Sequence, residues 1–263
     1  ASLGAGVMHS RAIEFGKKFG VPIHVRSSFT DVPGTLIVAD PESPDQPVSG
    51  AALVRNEAVV TIRGVSDQPG TSLAIFSRVA RRAVTVDMIV QNLGAGGKAD
   101  ISFTVPRDDL KATLEAVNEA AAELGAAGIT HDDNVAKVSV VGLGMAEQPG
   151  VAQRMFHALS DAGINIQMIT TSEIKISALV SREQADAAVR AVHRGFELDQ
   201  VPPKGPNGAL PTPTAGSPVE VVRRLQGMED LAISDVALDD TQALVTIAGV
   251  PDHPGLAAGL FDG

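Results

Sequence analysis

Val59-Val60-Thr61-Ile62-Arg63-Gly64-Val65-Ser66-Asp67-Gln68-Pro69-Gly70 is a β-branched apolar run that ends in an Asp-x-Pro-Gly turn, and a helix-patterned segment follows at once. Val, Ile and Thr fit a pleated, half-buried strand, and Pro-Gly stops it. The same device returns at 138–150, closing on Glu147-Gln148-Pro149-Gly150, and at 243–255, closing on Asp252-His253-Pro254-Gly255. Three copies of one strand–turn–helix start predict a repeated small domain.

Outward from the first copy, strand 58–65 leads to helix 71–80, strand 84–92, loop 94–97, strand 99–105, helix 107–124 and a short strand near 128–131. Leu110, Leu114, Val117 and Ala121 share one face of the second helix. The order is βαββαβ, so the fold class is α+β with tandem ferredoxin-like units. The second copy runs strand 136–143, helix 151–162, strands 164–171 and 175–180, and helix 182–196. Its sixth element is missing, because Pro202, Pro203, Pro206, Pro211 and Pro213 cannot continue a central strand. Residues 50–56 are a strand with no repeat of their own, and they are expected to complete the second unit.

The third copy supports that interleaving. Residues 48–76 align without a gap on 233–261, with identities at Ser49, Ala52, Leu53, Ala58, Val60, Thr61, Ile62, Gly64, Val65, Asp67, Pro69, Gly70 and Phe76. The predicted organisation is the end of a preceding domain at 1–40, a first domain at 58–134, and a second made of 48–57 with 135–197. A Pro-rich linker at 198–217 and the start of a further pair at 218–263 follow, the latter opening on a helix at 217–228 capped by Ser217 and Pro218. In 1–40, Met8, Ala12, Ile13, Phe15 and Phe19 form one helical face, and strands at 21–25 and 35–38 flank the turn Asp31-Val32-Pro33-Gly34. A start at Ala1 without Met and a stop inside a helix pattern are expected for a fragment cut at both ends.

Composition narrows the function. Of 263 residues 44% are hydrophobic but only 3% aromatic, with no Trp and no Tyr. Stacking platforms for single-stranded nucleic acid are nearly absent, and a net charge of −10 opposes a nucleic-acid partner. Zero cysteines exclude disulfides, thiolate catalysis and Cys-ligated zinc, and fit a cytoplasmic location. No apolar run of about 18 residues is present, so no membrane span is expected.

Catalytic groupings are scarce. His131-Asp132-Asp133-Asn134 is the nearest approach to a cation cluster and reads as a polar connection, so no metal is expected. Gly142-Leu143-Gly144 lacks the third glycine and the βαβ context of a dinucleotide loop. The turns are more informative. Gly70 allows close backbone approach at a helix start whose first N–H groups are unpaired, and such a terminus holds carboxylates. Asp67, or Glu147 in the second copy, stands beside it for an ammonium group. A Pro-Gly turn with Asp67 as helix cap explains the same residues without a ligand. Asp87 and Gln91 are four apart on one strand, and Asn165 and Gln167 share a strand face likewise. Solvated strand edges or a polar ligand between abutting repeats account for them equally.

Gly64-Val65-Ser66-Asp67-Gln68-Pro69-Gly70, Val86-Asp87-Met88-Ile89-Val90-Gln91-Asn92, Asp100-Ile101-Ser102-Phe103-Thr104-Val105 and Thr170-Thr171-Ser172-Glu173-Ile174-Lys175-Ile176-Ser177 resemble the tandem ACT domains of the aspartokinases. Gly4-Ala5-Gly6-Val7-Met8-His9-Ser10-Arg11 and Val25-Arg26-Ser27-Ser28-Phe29 look like the end of that family's kinase domain, although Gly6 and Ser10 depart from its usual Lys and Pro. The resemblance implies a regulatory portion of an enzyme that phosphorylates L-aspartate with ATP and magnesium. It implies feedback control by lysine, threonine or both, and no catalysis and no bound cofactor in this stretch by itself. Carried over by position, it implies an effector site of Asp67, Gly70, Ser72, Asp87, Gln91 and Asn92 with Asn165 and Ile166, and a neighbouring surface of Thr171, Ser172 and Glu173. A homo-oligomer joined through ACT domains is expected. The alternatives are a structural ACT module without ligand and an ACT module of another amino-acid enzyme.

Overall fold

The computed structural model describes residues 7–38, 47–94, 96–142, 145, 148–200, 238, 243, 245, 247 and 249–261. Helix 217–228, most of the linker and Glu147 lie outside the described residues. The chain divides into two compact units, one of 1–44 with 202–251 and one of 45–201 with 252–263.

In the first unit, α1 (Ser10–Lys18) has His9 as N-cap, whose Nδ1 accepts the Arg11 amide at 3.3 Å. Strands β1 (Ile23–Val25) and β2 (Thr35–Ile37) pair antiparallel, Ile23 opposite Ile37. Gly34 has φ +78°, and a Cβ there would strike the Val25 carbonyl.

The second unit carries one antiparallel six-stranded sheet, ordered β4-β5-β3-β6-β8-β7. Its elements are β3 (Gly50–Ser66), α2 (Thr71–Arg81), β4 (Ile89–Leu93), β5 (Lys98–Val105), α3 (Leu110–Leu124), β6 (Gly128–Val141), α4 (Val151–Asp161), β7 (Met168–Ser172), β8 (Lys175–Ser181), α5 (Ala185–Gly195) and α6 (Leu256–Leu260). The two expected strands at 50–56 and 58–65 are one strand of 17 residues, β3, and 128–131 and 136–143 are likewise one strand, β6. Asn56 and Glu57 interrupt the apolar pattern, but the backbone crosses them through register shifts between Val54 and Val59. Such bulges add a residue and a bend without ending the ladder. The first part of β3 pairs only with the end of β6, Gly50 opposite Val141 and Val54 opposite Lys137. Its second part pairs with β5 and with the start of β6, Ile62 opposite Ile101 and Ile129.

Two expected strands are shorter than their pattern. Only Ile89–Leu93 and Met168–Ser172 are regular, because Val84 and Ile164 turn inward as buried plugs after each helix. The helices expected at 107 and 182 begin with single 3₁₀ turns, Arg107–Asp109 and Arg182–Gln184.

Side-chain alternation puts both large cores on one face of the sheet. Val60, Ile62, Ile101 and Phe103 pack under Ile75 and Val79 of α2 and Ala116, Val117 and Ala120 of α3. Val138, Val140, Ala178 and Val180 pack under Met155, Phe156 and Leu159 of α4 and Ala188 and Val192 of α5. Each fully buried Phe, Ile or Leu here contributes about 1.5–3 kcal/mol. The opposite face holds a small third cluster where the halves meet: Met88, Val135 and Leu179, with Val59 and Met168 beside them.

Candidate functional site

The three Pro-Gly turns share one backbone device. Gly70, Gly150 and Gly255 are the N-caps of α2, α4 and α6, with φ of 96°, 90° and 91°. Only glycine takes that conformation without strain. None of the three helices has a side-chain cap. Asp67 is therefore not a side-chain cap of α2. Its carboxylate Oδ1 instead accepts the Gln91 side-chain amide at 3.0 Å. Gln91 Oε1 in turn accepts the Ser72 hydroxyl at 3.5 Å.

These groups line a cavity of about 420 Å³ whose walls also include Val65, Ser66, Gly70 and Thr71, with Ala99 and Ile101 among the apolar lining residues. Thr71 closes the rim, its hydroxyl donating to the Ser66 carbonyl at 2.8 Å and its amide to the Gln68 carbonyl at 3.2 Å. The Ser72 and Leu73 amides have no intrahelical acceptor at this position of a helix. The cavity thus gathers hydrogen-bond donors, the positive end of α2, one exposed carboxylate, a side-chain amide and a hydroxyl in its lining.

Of the residues read from sequence, Asp67, Gly70, Ser72 and Gln91 come together here. Asn92 follows Gln91 on β4 and takes the alternate face. Asn165 and Ile166 lie before β7 in the other half of the sheet, and Asn165 donates to Asp252 at 2.9 Å. Thr171, Ser172 and Glu173 form the exposed end of β7 and its turn, where the Ser172 hydroxyl donates to the Lys175 carbonyl at 3.3 Å.

Asp87 does not line the cavity. It joins a charged cluster on the sheet face opposite α2, α3, α4 and α5, where it binds Lys137 and, at 3.5 Å, Lys175. Lys137 is 4% exposed and also binds Glu57, which is 7% exposed. Burial pushes the Asp87 carboxyl up, but the hydrogen bond and charge of Lys137, backed by Lys175, outweigh it and hold the group below its ordinary range. Burial pulls the Lys137 ammonium down, and Asp87 and Glu57 together hold it above its ordinary value. Sequence reasoning passed over Glu57 and Lys137. A lone lysine inside the apolar run Val135-Ala136-Lys137-Val138 was the available signal.

The polar connection 131–134 is committed to structure. Asp133 binds Arg107 at 3.0 Å, which holds its carboxyl below the ordinary range, and Asp132 accepts the Asn134 amide at 2.8 Å. Arg182 donates to the carbonyls of Glu57 and Asp133 at 3.1 and 2.7 Å, satisfying backbone groups freed by the bulge. Among the described residues no three His, Asp or Glu side chains gather as metal ligands, and no helix is long and apolar enough to cross a membrane. Gly142 has a packing reason, since a Cβ there would run into the Pro47 carbonyl.

The family model of the ACT domain matches residues 60–121 and 138–196, one match on each half of the sheet. A solved structure of aspartokinase alpha and beta subunits is 48% identical, with TM-score 0.54, and the match covers 57% of this chain and 99% of that one. This chain belongs to the aspartokinase family. The ligand-free regulatory subunit of aspartate kinase from Thermus thermophilus is 40% identical to this chain, with 57% of this chain and 99% of that one covered and TM-score 0.55. The aspartate kinase of Synechocystis is 35% identical, with 99% of this chain and 43% of that one covered and TM-score 0.70. An aspartate kinase of Stutzerimonas stutzeri is 49% identical over 201 residues, which are 76% of this chain and 49% of the relative. The chain spans about half the length of the curated relatives it matches.

Proposed function

We propose that this chain is the feedback-sensing part of an aspartate kinase, a cytoplasmic enzyme that transfers a phosphoryl group from ATP to the side-chain carboxylate of L-aspartate. The ATP, magnesium and aspartate sites are assigned to the half of the relatives that this chain does not span. The domain division follows the sequence reading, with a first ACT domain at 58–134 and a second built from 48–57 and 135–197.

One observation carries the regulatory reading: the N-terminus of α2, which has no side-chain cap, and the exposed Asp67 carboxylate line one cavity of about 420 Å³. A free amino acid fits that polarity. Its carboxylate meets the amides at the start of α2, its ammonium meets Asp67, and its side chain meets Gln91 and Ser72. The effector is lysine, threonine or both. Asn165, Ile166, Thr171, Ser172 and Glu173 supply the counterpart surface of the second repeat. The exposed edge strands β4 and β7 favour self-association into a homo-oligomer.

Calorimetric titration of the chain with each amino acid tests this. Saturable binding that is weakened in Asp67→Asn is expected. No heat and no thermal shift with either amino acid would overturn it and favour a structural module.

A further inference from the structure

The most heavily buried charge of the described residues lies outside the cavity. Lys137 stands on β6 with its ammonium between Glu57 of β3 and Asp87, on the sheet face opposite α2 to α5. Lys175 of β8 adds a second cation to Asp87 at 3.5 Å. Around them lie Met88, Val135 and Leu179, so the group sits where the two halves of the sheet meet. Glu57 and Lys137 belong to shared strands, Lys175 belongs to the second half, and Asp87 leads into β4 of the first.

β4 is an edge strand. Among the described residues it pairs only with β5, over five residues from Ile89 opposite Phe103 to Leu93 opposite Ala99. A one-residue slip of such a strand turns every side chain to the other face. For Gln91 a slip ends the 3.0 Å bond to Asp67 and removes one wall of the cavity. Ladder hydrogen bonds do not by themselves forbid it, because each register makes nearly the same number. The Asp87 pair does. A slip withdraws Asp87 from an ammonium that is 4% exposed, and a buried charge that loses a partner is strongly disfavoured. The Asp87 amide, at 3.1 Å from the Thr104 carbonyl, and the Met88 amide, at 3.2 Å from the Thr104 hydroxyl, fix the same point.

We propose that Lys137 is a positioning residue for the Asp67–Gln91 cavity: through Asp87 it locks the register of β4, and through its own strand it ties that cavity wall to the second repeat. The inference rests on the amino-acid reading of the cavity for its functional consequence, whereas the register lock stands on geometry. Lys137 touches no ligand. It acts through Asp87 and the strand, and any change it makes in the cavity is also felt across the junction by β6 and β8.

The test uses the 263-residue chain as Lys137→Met, Lys137→Arg and the neutral triple variant Glu57→Gln/Asp87→Asn/Lys137→Met. Two quantities are read: threonine and lysine affinity by calorimetry, and hydrogen exchange with cross-strand NMR contacts between Gln91 and Ile101. Lys137→Met is expected to weaken binding by about tenfold, a size typical of coupling through a second residue, and to raise exchange across 89–93. Lys137→Arg keeps the charge and is expected to restore most of both. The triple variant removes the unpaired buried charges, so it regains thermal stability but not affinity. Unchanged exchange at 89–93 in Lys137→Met overturns the lock. Affinity that returns with stability in the triple variant reduces Lys137 to a structural role. Wild-type chain that binds neither amino acid sinks the amino-acid reading instead, and the exchange data still decide the lock.

Discussion

In the first repeat, Asp67 takes its amide partner from its own unit, Gln91 at 3.0 Å, and a cavity stays open beside it. In the third copy of the turn, Asp252 accepts the amide of Asn165 at 2.9 Å, a residue of the second repeat. The helices that follow differ in the same way. α2 leaves Leu73 73% exposed, whereas Ala258, at the matching place in α6, is 4% exposed. The Phe261 ring packs tilted at 51° against Phe156 of α4, with centroids 5.4 Å apart. One acid in one turn therefore serves two purposes. With a partner strand in its own repeat the acid frames a cavity, and with a partner in another repeat it ties the third turn to the second repeat. What surrounds the turn decides the outcome, since all three glycines hold the same backbone.

The two cores carry the largest expected effects. Phe103 and Phe156 are both buried, one in each half, and alanine at either is expected to remove about 3–5 kcal/mol. Because β3 and β6 run through both halves, one cooperative unfolding transition should move in each variant. Two separate transitions in thermal denaturation would show independent halves.

The turn glycines come next. A Cβ at Gly70 meets nothing within 4 Å, so Gly70→Ala carries backbone strain only, about 1–2 kcal/mol. A Cβ at Gly255 meets Ser160 Oγ at 2.8 Å, so Gly255→Ala adds crowding at the docking contact. It should raise hydrogen exchange across 256–260 while the Gly70 variant leaves that segment unchanged.

Asp87 gives a smaller, pH-dependent effect. Lys137 and Lys175 hold its carboxyl below the ordinary carboxylate range in the folded state, against the upward push of burial. Its contribution is present above the unfolded value and is lost as pH falls through the folded one. The difference in urea midpoint between wild type and Asp87→Asn should therefore persist from neutral pH down to about 4 and vanish in stronger acid. Lys137 has the opposite sign: its raised ammonium contributes below the ordinary lysine range, and the contribution fades only as pH rises past it. Smallest is Asn165→Ala. It removes one exposed hydrogen bond to Asp252 and should cost about 0.5 kcal/mol, with the loosening confined to α6 in exchange measurements.

The sequence made the repeat and its interleaving readable because both rest on local signals. Pro-Gly turns recur with β-branched runs before them, and the strand at 50–56 had no partner within its own copy. Its pairing with 137–141 follows from the missing strand after Phe196. The merging of strands across Asn56 and Glu57 was not readable, since a bulge looks like a loop in a pattern of polar residues. At the candidate site, Asp67, Gly70, Ser72 and Gln91 converge because turn and edge strand are neighbours in one small unit. Asp87 shares their pattern but reaches Lys137, 50 positions along the chain. Strand periodicity says which face a residue takes. It does not reveal which distant cation waits there.

β3 also has a consequence for the order of assembly. Ser49 hydrogen-bonds the Val141 carbonyl, 92 residues further on. At about 5–20 residues per second of synthesis, the front of β3 waits roughly 5–20 seconds for its partner. Its rear portion need not wait so long, because β5 arrives earlier and α2 covers it. During that interval Gly50–Val54 is an unpaired edge of Ala, Leu and Val attached to a nearly finished first domain. Such an edge pairs with whatever strand comes first, so a nascent chain on a neighbouring ribosome competes with the chain's own β6.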